Sequence, residues 1–272
     1  MKIIESFIMS KGISACEDAL FTGDGFVCVI DGITSRSTIN TKDLTRGRLA
    51  CDLIIDELND MPYDVDPVSF FKALNEAIYQ YYRNMNVVDA VKKSPVKRAG
   101  ASVIAYSRHH NQVWSVGDCM CIVDNQVYNN GKYIDELLAE LRAYVNITEI
   151  ASGVDILELQ QNDPGRAFII PLIEKQMLFQ NNMEFNSPYN YSVIDGFFCN
   201  YEDIKIIDNE SSEVVLASDG YPKLFNDLCT SEAYLMQVLR TDPLLIYENK
   251  STKGKTPNQN SYDDRTYVRF TI

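Results

Sequence analysis

The stretch FVCVIDG, Phe26–Gly32, runs five apolar residues into an aspartate and a glycine. A continuous apolar run containing β-branched residues suits a strand buried on both faces, and Asp-Gly marks where it stops. Related steps recur in VVLASDG, Val214–Gly220, and in SYDDRTYVRF, Ser261–Phe270, where Asp263-Asp264 precedes a strand. A fourth acidic step, VWSVGD, ends at Asp118, and Glu17-Asp18 sits shortly before the first run. Carboxylates at strand ends, drawn from both halves of a chain, are how a fold gathers hard oxygen ligands around divalent cations. A metal-dependent hydrolase is therefore the first hypothesis.

Outward from these steps, Lys2–Ser10 reads as a first strand, and Leu49, Leu53, Ile54 and Leu58 fall at helical spacing within 43–58. Over 66–91, Phe70, Phe71, Leu74, Ala77, Ile78, Tyr81, Tyr82, Met85 and Val88 form one stripe. That predicts a long helix, started by Asp66-Pro67. Ala101–Ser107 and Gln112–Val116 flank the turn Arg108-His109-His110-Asn111, and a second hairpin is expected across Asp124-Asn125. Helices are expected at Ile134–Val145, from Pro164 with Pro171 ending or kinking it, at Pro222–Leu228 and at Glu232–Leu239. Short strands are expected at Tyr191–Ile194, Ile204–Ile207, Val214–Ala217 and Thr266–Ile272, and Asn249–Ser261 is a polar loop. Helix pairs set between strand groups predict a layered α/β (α+β) fold: two mainly antiparallel sheets face to face, with helices on both outer faces. No linker divides the chain, so 1–272 reads as one domain.

The chain has 272 residues, 46% of them hydrophobic, enough for a sizeable core. Its formal charge of −13 disfavours nucleic acid and anionic membranes as partners. Seven cysteines with no C-x-x-C pair, mostly in apolar stretches, predict a reducing cytoplasmic setting. MKIIESFIMSKG is too short and polar for a signal peptide, and no run approaches the length of a membrane span.

Taken in order, Glu17-Asp18, Val29-Ile30-Asp31-Gly32, Ser115-Val116-Gly117-Asp118, Leu216-Ala217-Ser218-Asp219-Gly220 and Asp263-Asp264-Arg265-Thr266 span nearly the whole chain. The set resembles the metal-dependent type 2C (PPM-type) protein serine/threonine phosphatases, as a divergent, bacterial-like member. Each motif alone is weak, because Asp-Gly is common at turns; five in order make a joint signal. The resemblance implies hydrolysis of phosphoserine or phosphothreonine by a metal-activated water, with two Mg²⁺ or Mn²⁺ ions and a third in some members. Asp31 would bridge two ions and Gly32 would offer its carbonyl to one. Asp219 and Asp263 would complete the other ion's shell, so the implied catalytic set is Asp31, Asp219 and Asp263. Asp118, with Asp219, matches the position that holds the third ion, and Glu17 and Asp18 would act mostly through metal-bound waters. A sandwich with its metals at one edge between the sheets and a variable insert or flap at about 129–200 is implied as well. The implied partners are a phosphorylated protein substrate and a partner kinase, in cytoplasmic signalling.

The departures from the family pattern are specific. An Arg that grips phosphate often precedes the Glu-Asp pair; here only Lys11 is available there, with Arg36 as a second candidate. Many members carry a His directly after Asp-Gly; here it is Ile33. The usual Ser-Arg-Ala-Leu-Gly-Asp signature is replaced by Tyr191-Ser192-Val193-Ile194-Asp195-Gly196, and Asp195-Gly196 is read as a turn. His109-His110 read as exposed turn residues, and Lys92, Lys93, Lys97 and Arg98 as a solvated cluster. These departures keep two alternatives open, a pseudophosphatase serving as a regulatory binding module and a small-molecule phosphoesterase. Cysteine-dependent phosphatase chemistry is disfavoured, since no cysteine has an Arg six positions later. There is no G-x-S-x-G, H-E-x-x-H or P-loop pattern either.

Overall fold

The computed structural model describes residues 1–12, 15–33 and 45–272. Among these, ten strands form two five-stranded sheets in which every pairing is antiparallel. The strands are β1 (Lys2–Met9), β2 (Ala19–Thr22), β3 (Phe26–Gly32), β4 (Ala101–Ser107), β5 (Gln112–Val116), β6 (Met120–Val123), β7 (Gln126–Asn129), β8 (Lys205–Asp208), β9 (Glu213–Ala217) and β10 (Arg265–Thr271). One sheet runs β1-β10-β9-β6-β7 and the other β2-β3-β4-β5-β8. The helices are α1 (Arg46–Asn59), α2 (Pro67–Asn84), α3 (Val88–Lys93), α4 (Tyr133–Ala151), α5 (Ile156–Gln161), α6 (Pro164–Gln176) and α7 (Leu228–Thr241). The layered sandwich expected from the sequence is the fold observed.

Strand alternation explains why the runs read as wholly apolar. In β3, Val27 and Val29 face the opposite sheet and join Ile104, Leu216 and Phe270 in the inter-sheet core. Cys28 and Ile30 point the other way and pack with Ile54, Phe70, Leu74 and Trp114 under α1 and α2. In β9 the same alternation sends Val214 and Leu216 inward, and Val215 and Ala217 towards Leu235 and Leu239 of α7. β3 and β9 are thus covered on both faces and read as hydrophobic throughout, whereas the edge strands β1, β7 and β8 are largely exposed.

Local chemistry accounts for the boundaries. Asp66 and Asp227 cap α2 and α7, accepting from Ser69 N (3.0 Å) and Thr230 N (2.8 Å). The β6–β7 hairpin turns on Asp124 and Asn125, both at positive φ (52° and 61°), as a two-residue hairpin requires. The helix expected over 66–91 is broken: Asn86 enters the left-handed region (φ 54°) after α2, and α3 starts afresh at Val88. Pro171 does not end α6, because it lies on the exposed face, where the carbonyl it leaves unpaired meets solvent. No helix forms at 222–227; the Asp227 cap sets the start of α7 at Leu228 instead. Tyr191–Ile194 makes only isolated bridges, Gln180 to Tyr191 and Ala101 to Ile194. No helix among the described residues is long and apolar enough to cross a membrane.

Candidate metal centre

The acidic steps converge at one edge of the sandwich because the strands that carry them end there. Asp31 follows Val27 and Val29 in the β3 alternation, so it faces the opposite sheet just where the inter-sheet core stops. Asp118 lies in the tight turn between β5 and β6. Gly117 holds φ +96° there, and a Cβ would come within 2.2 Å of Ser102 Oγ. Asp219 follows β9, and Asp263-Asp264 lead into β10. The close approach of α1 to β3 also depends on glycine, since a Cβ on Gly32 would fall 2.7 Å from the Gly47 carbonyl.

Asp31, Asp118 and Asp219 each offer a carboxylate oxygen, and these atoms lie within 4.8 Å of one another. They open onto a cleft of about 530 Å³ that Asp18, Gly32, Ile33, Lys132, Lys253 and Asp263 also line. A second acidic group, Asp18 and Asp264 with Cys16, adjoins it. Asp18 accepts from Ser218 Oγ (2.7 Å) and Thr266 Oγ1 (2.9 Å), tying β2 to the ends of β9 and β10. Asp264 accepts from the backbone of Lys11 (2.8 Å) and Glu17 (2.9 Å), fixing the segment that leads into Asp18.

The electrostatics divide these carboxylates into two kinds. Burial, and then the charges of neighbouring aspartates, pushes Asp31 and Asp219 well above the usual carboxylate range. Burial lifts Asp18 to about 7, helped by Asp263 and Asp264 against the hydrogen bonds it accepts. Asp118 and Asp263 are held below their ordinary value despite burial, because lysines stand on them. Lys132 Nζ is 2.5 Å from Asp118, and Lys11 (3.1 Å) and Lys253 both pair with Asp263. Burial works against the charge of Lys11, but Asp263 and Asp264 outweigh it and keep the ammonium protonated.

Lys253 offsets the charge on Asp219 only in part. A crowded carboxylate pair with no salt bridge of its own among the described residues is what a divalent ion relieves, and an all-oxygen donor set suits Mg²⁺ or Mn²⁺. Glu17 fits the same reading: its Oε1 is buried with no hydrogen-bond partner among the described residues. The residues present can therefore hold such ions, with Asp31, Asp118 and Asp219 as the nearest set.

Of the residues singled out in the sequence, Asp31, Asp118 and Asp219 come together directly. Asp18, Gly32 and Asp263 line the same cleft, with Asp263 engaged by lysines. Lys11 reaches the site, but its ammonium is committed to Asp263 and Asp264 (3.7 Å) rather than free in the cleft. Arg36, with Thr34, Ser35 and Ser37, lies outside the described residues. Ile33 stands on the cleft wall. His109 is exposed, whereas His110 is half-buried, because its Nε2 donates to the Val65 carbonyl (3.0 Å) and its ring packs near Trp114. Arg98 leaves the solvated cluster to pair with buried Asp195 (3.0 Å). Sequence reasoning missed Lys132 and Lys253. Both lie in turn-rich polar segments without a motif, and only the tertiary fold brings them to the carboxylates.

No protein-family model matches the chain, and no curated protein matches it. Solved structures do resemble it. The serine/threonine phosphatase PstP/Ppp of Mycobacterium tuberculosis is 15% identical with a TM-score of 0.46, covering 99% of each chain. Stp1 of Staphylococcus aureus is 14% identical with a TM-score of 0.49, covering 100% of this chain and 96% of its own. The catalytic domain of PstP in complex with two manganese ions is 14% identical with a TM-score of 0.44, covering 100% of both chains. Similarity at this level establishes no activity. The solved structures that this chain resembles over nearly its full length include PPM-type serine/threonine phosphatases.

Proposed function

We propose that the chain is a Mg²⁺- or Mn²⁺-dependent phosphoprotein phosphatase acting on phosphoserine or phosphothreonine. One observation carries the reading: Asp31, Asp118 and Asp219, from three separate strand ends, bring their oxygens within 4.8 Å at the floor of an open cleft. Like charges held this close, with neither Asp31 nor Asp219 in a salt bridge among the described residues, cost stability and are explained by a ligand that neutralises them.

Asp31 and Asp219 would hold the ions, Asp263 would complete the set, and Glu17 and Asp18 would order water around it. Bound there, two divalent ions supply a water of lowered pKa and neutralise charge on the phosphoryl oxygens. The chain's own task is placement. Ser218 and Thr266 fix Asp18, Ser102 fixes Asp118 (2.5 Å), and Tyr262 Oη fixes the Asp219 backbone by donating to its carbonyl (3.1 Å). Ile33 offers no proton, so the leaving alkoxide would take its proton from water or from another group rather than from a side chain at that position. Lys132, Lys250 and Lys253, which line the cleft, locally counter the repulsion that a net charge of −13 would exert on a phosphorylated substrate.

A second reading has its own observation. Asp118 and Asp263 already carry lysine partners, as they would in a pseudophosphatase that keeps the fold as a binding module. Hydrolysis of p-nitrophenyl phosphate and of a phosphothreonine peptide, with Mn²⁺, Mg²⁺ or EDTA, decides between them when run beside Asp31→Ala. Metal-dependent turnover that Asp31→Ala abolishes without unfolding supports the phosphatase. Activity that survives the substitution unchanged would end the assignment, and bound metal without turnover favours the binding module. A preference for the small ester over the peptide would instead point to a small-molecule phosphoesterase.

A further inference from the structure

The cleft has a basic wall that none of the sequence motifs describes. Residues 249–253 line it, and they belong to a strap that leaves α7 and returns to β10. The strap is held from behind by the α4–α6 segment. Arg142 of α4, fully buried, donates from Nη1 to the carbonyls of Leu244 (2.8 Å) and Ser251 (2.9 Å). Its Nε and Nη2 bind Asp163 at 2.8 and 2.6 Å, and Asp163 also caps α6 through Arg166 N (2.7 Å). Arg166 Nη1 donates to Thr252 O (2.6 Å), and Gln160 to Lys255 O (3.0 Å). Gly254 packs close to the Arg142 guanidinium, where a Cβ would come within 2.7 Å of Nη2. The backbone is therefore fixed on both sides of Lys253, whose ammonium reaches Asp263.

Lys11 and Lys253 meet the same carboxylate but are placed differently. Lys11 is tied to Asp263 and Asp264, and its backbone is tied to Asp264 as well. Among the described residues Lys253 has Asp263 as its single ion-pair partner, and its side chain is 27% exposed against 15% for Lys11. Asp263 belongs to the proposed metal set. A divalent ion on that carboxylate repels an ammonium beside it. The ammonium then needs a new anion within reach of its stem, and the cleft offers room for one.

We infer that Lys253, aimed by the Arg142-clamped strap, is the cation that holds the phosphoryl group of the substrate, in place of the arginine that this chain lacks before Glu17-Asp18. The inference rests on the phosphatase reading above. An ammonium with three donors on a flexible stem can leave a carboxylate and take up phosphoryl oxygens without moving the backbone.

The test uses the full chain and orthophosphate as the probe. Mn²⁺ uptake is measured by calorimetry, then orthophosphate binding to the Mn²⁺-loaded protein, for wild type, Lys253→Gln, Lys253→Arg and Lys255→Gln. Lys253→Gln is expected to weaken orthophosphate about ten- to a hundredfold, the loss of one charge-assisted hydrogen bond, without weakening Mn²⁺. It should raise KM for a phosphothreonine peptide more than it lowers kcat. Lys253→Arg should recover part of the affinity, and Lys255→Gln should match wild type. Equal orthophosphate affinity in wild type and Lys253→Gln, both loaded with Mn²⁺, would overturn the inference and leave the phosphatase reading standing. Joint loss of Mn²⁺ and orthophosphate in Lys253→Gln would reduce Lys253 to a structural counter-ion. A wild type that takes up no Mn²⁺ would overturn both.

Discussion

Asp195-Gly196 and the pair Asp31-Gly32 and Asp219-Gly220 read alike in sequence and sit in opposite surroundings. Asp195 is fully buried and surrounded by donors: Arg98 Nη1 (3.0 Å), Gln180 Nε2 (2.7 Å), Asn181 Nδ2 (2.7 Å) and Phe197 N (2.8 Å). The Arg98 guanidinium lies over the Phe197 ring at 4.3 Å, and Gly196 turns at φ +88°. Asp31 and Asp219 instead face other carboxylates, with donors spent on their neighbours. The same dipeptide is structural cement where donors converge on it and a candidate ligand step where acids do. Composition cannot make that distinction, because the partners come from segments far away in the chain.

Substitutions at the two places should therefore have opposite signs. Asp195→Ala strands the Arg98 charge and three further donors, and is expected to cost about 3–5 kcal/mol. Mn²⁺ affinity of the folded fraction should stay unchanged; chemical denaturation with metal calorimetry checks both, and a stability loss under 1 kcal/mol would break the contrast. Asp31→Asn should do the reverse. It should raise the unfolding temperature of the metal-free protein, by about 2–4 °C for each kcal/mol of repulsion relieved, while removing the stabilisation that Mn²⁺ gives wild type. Thermal melts with EDTA and with Mn²⁺ read both effects.

The pH dependence sharpens the same contrast. A carboxyl whose folded pKa lies above its unfolded value binds more protons in the native state, so its contribution is present below the unfolded value and lost as pH rises through the folded one. For Asp18 that window runs from 3.8 to about 7. Metal-free protein should lose stability as pH rises across it, and Asp18→Asn should flatten the slope. Asp118 and Asp263, shifted downward by lysines, act only below the window. Denaturant midpoints at several pH values in EDTA test this, and a midpoint that climbs with pH over the window would contradict it. The smallest effect sets the scale. Asp66 is an exposed helix cap bonded to Ser69 N, and Asp66→Ala should cost about 1 kcal/mol and leave metal binding untouched.

Much of the fold was legible because its signals are local. The apolar run of β3, the capped stripe of α2 and the Asp124-Asn125 turn each declare themselves within a few residues. Misreadings arose where a single residue overrode a longer pattern: Asn86 cut the helix expected over 66–91, and the Asp227 cap cancelled one expected just before α7. At the site, Asp31, Asp118 and Asp219 were legible because strand ends of a sandwich gather at one edge. Lys132 and Lys253 were not, since a lysine in a polar loop has no pattern around it. Asp195 was readable as a turn but not as the hub of a buried network.

Helix pairs set between strand groups pointed, from sequence alone, to a two-sheet sandwich, and the ordered acidic steps, with the family they resemble, pointed to carboxylates collected at one edge. Side-chain direction follows from strand period, and that period is written in the residues themselves. Which acids keep a crowded negative charge and which receive a lysine was decided only by the tertiary structure. Electrostatic partnership depends on distances of a few ångströms between segments such as Lys11 and Asp263, 252 residues apart. The strap that carries Lys253 is likewise set by a buried arginine more than a hundred residues away, through contacts that exist only once the chain has folded.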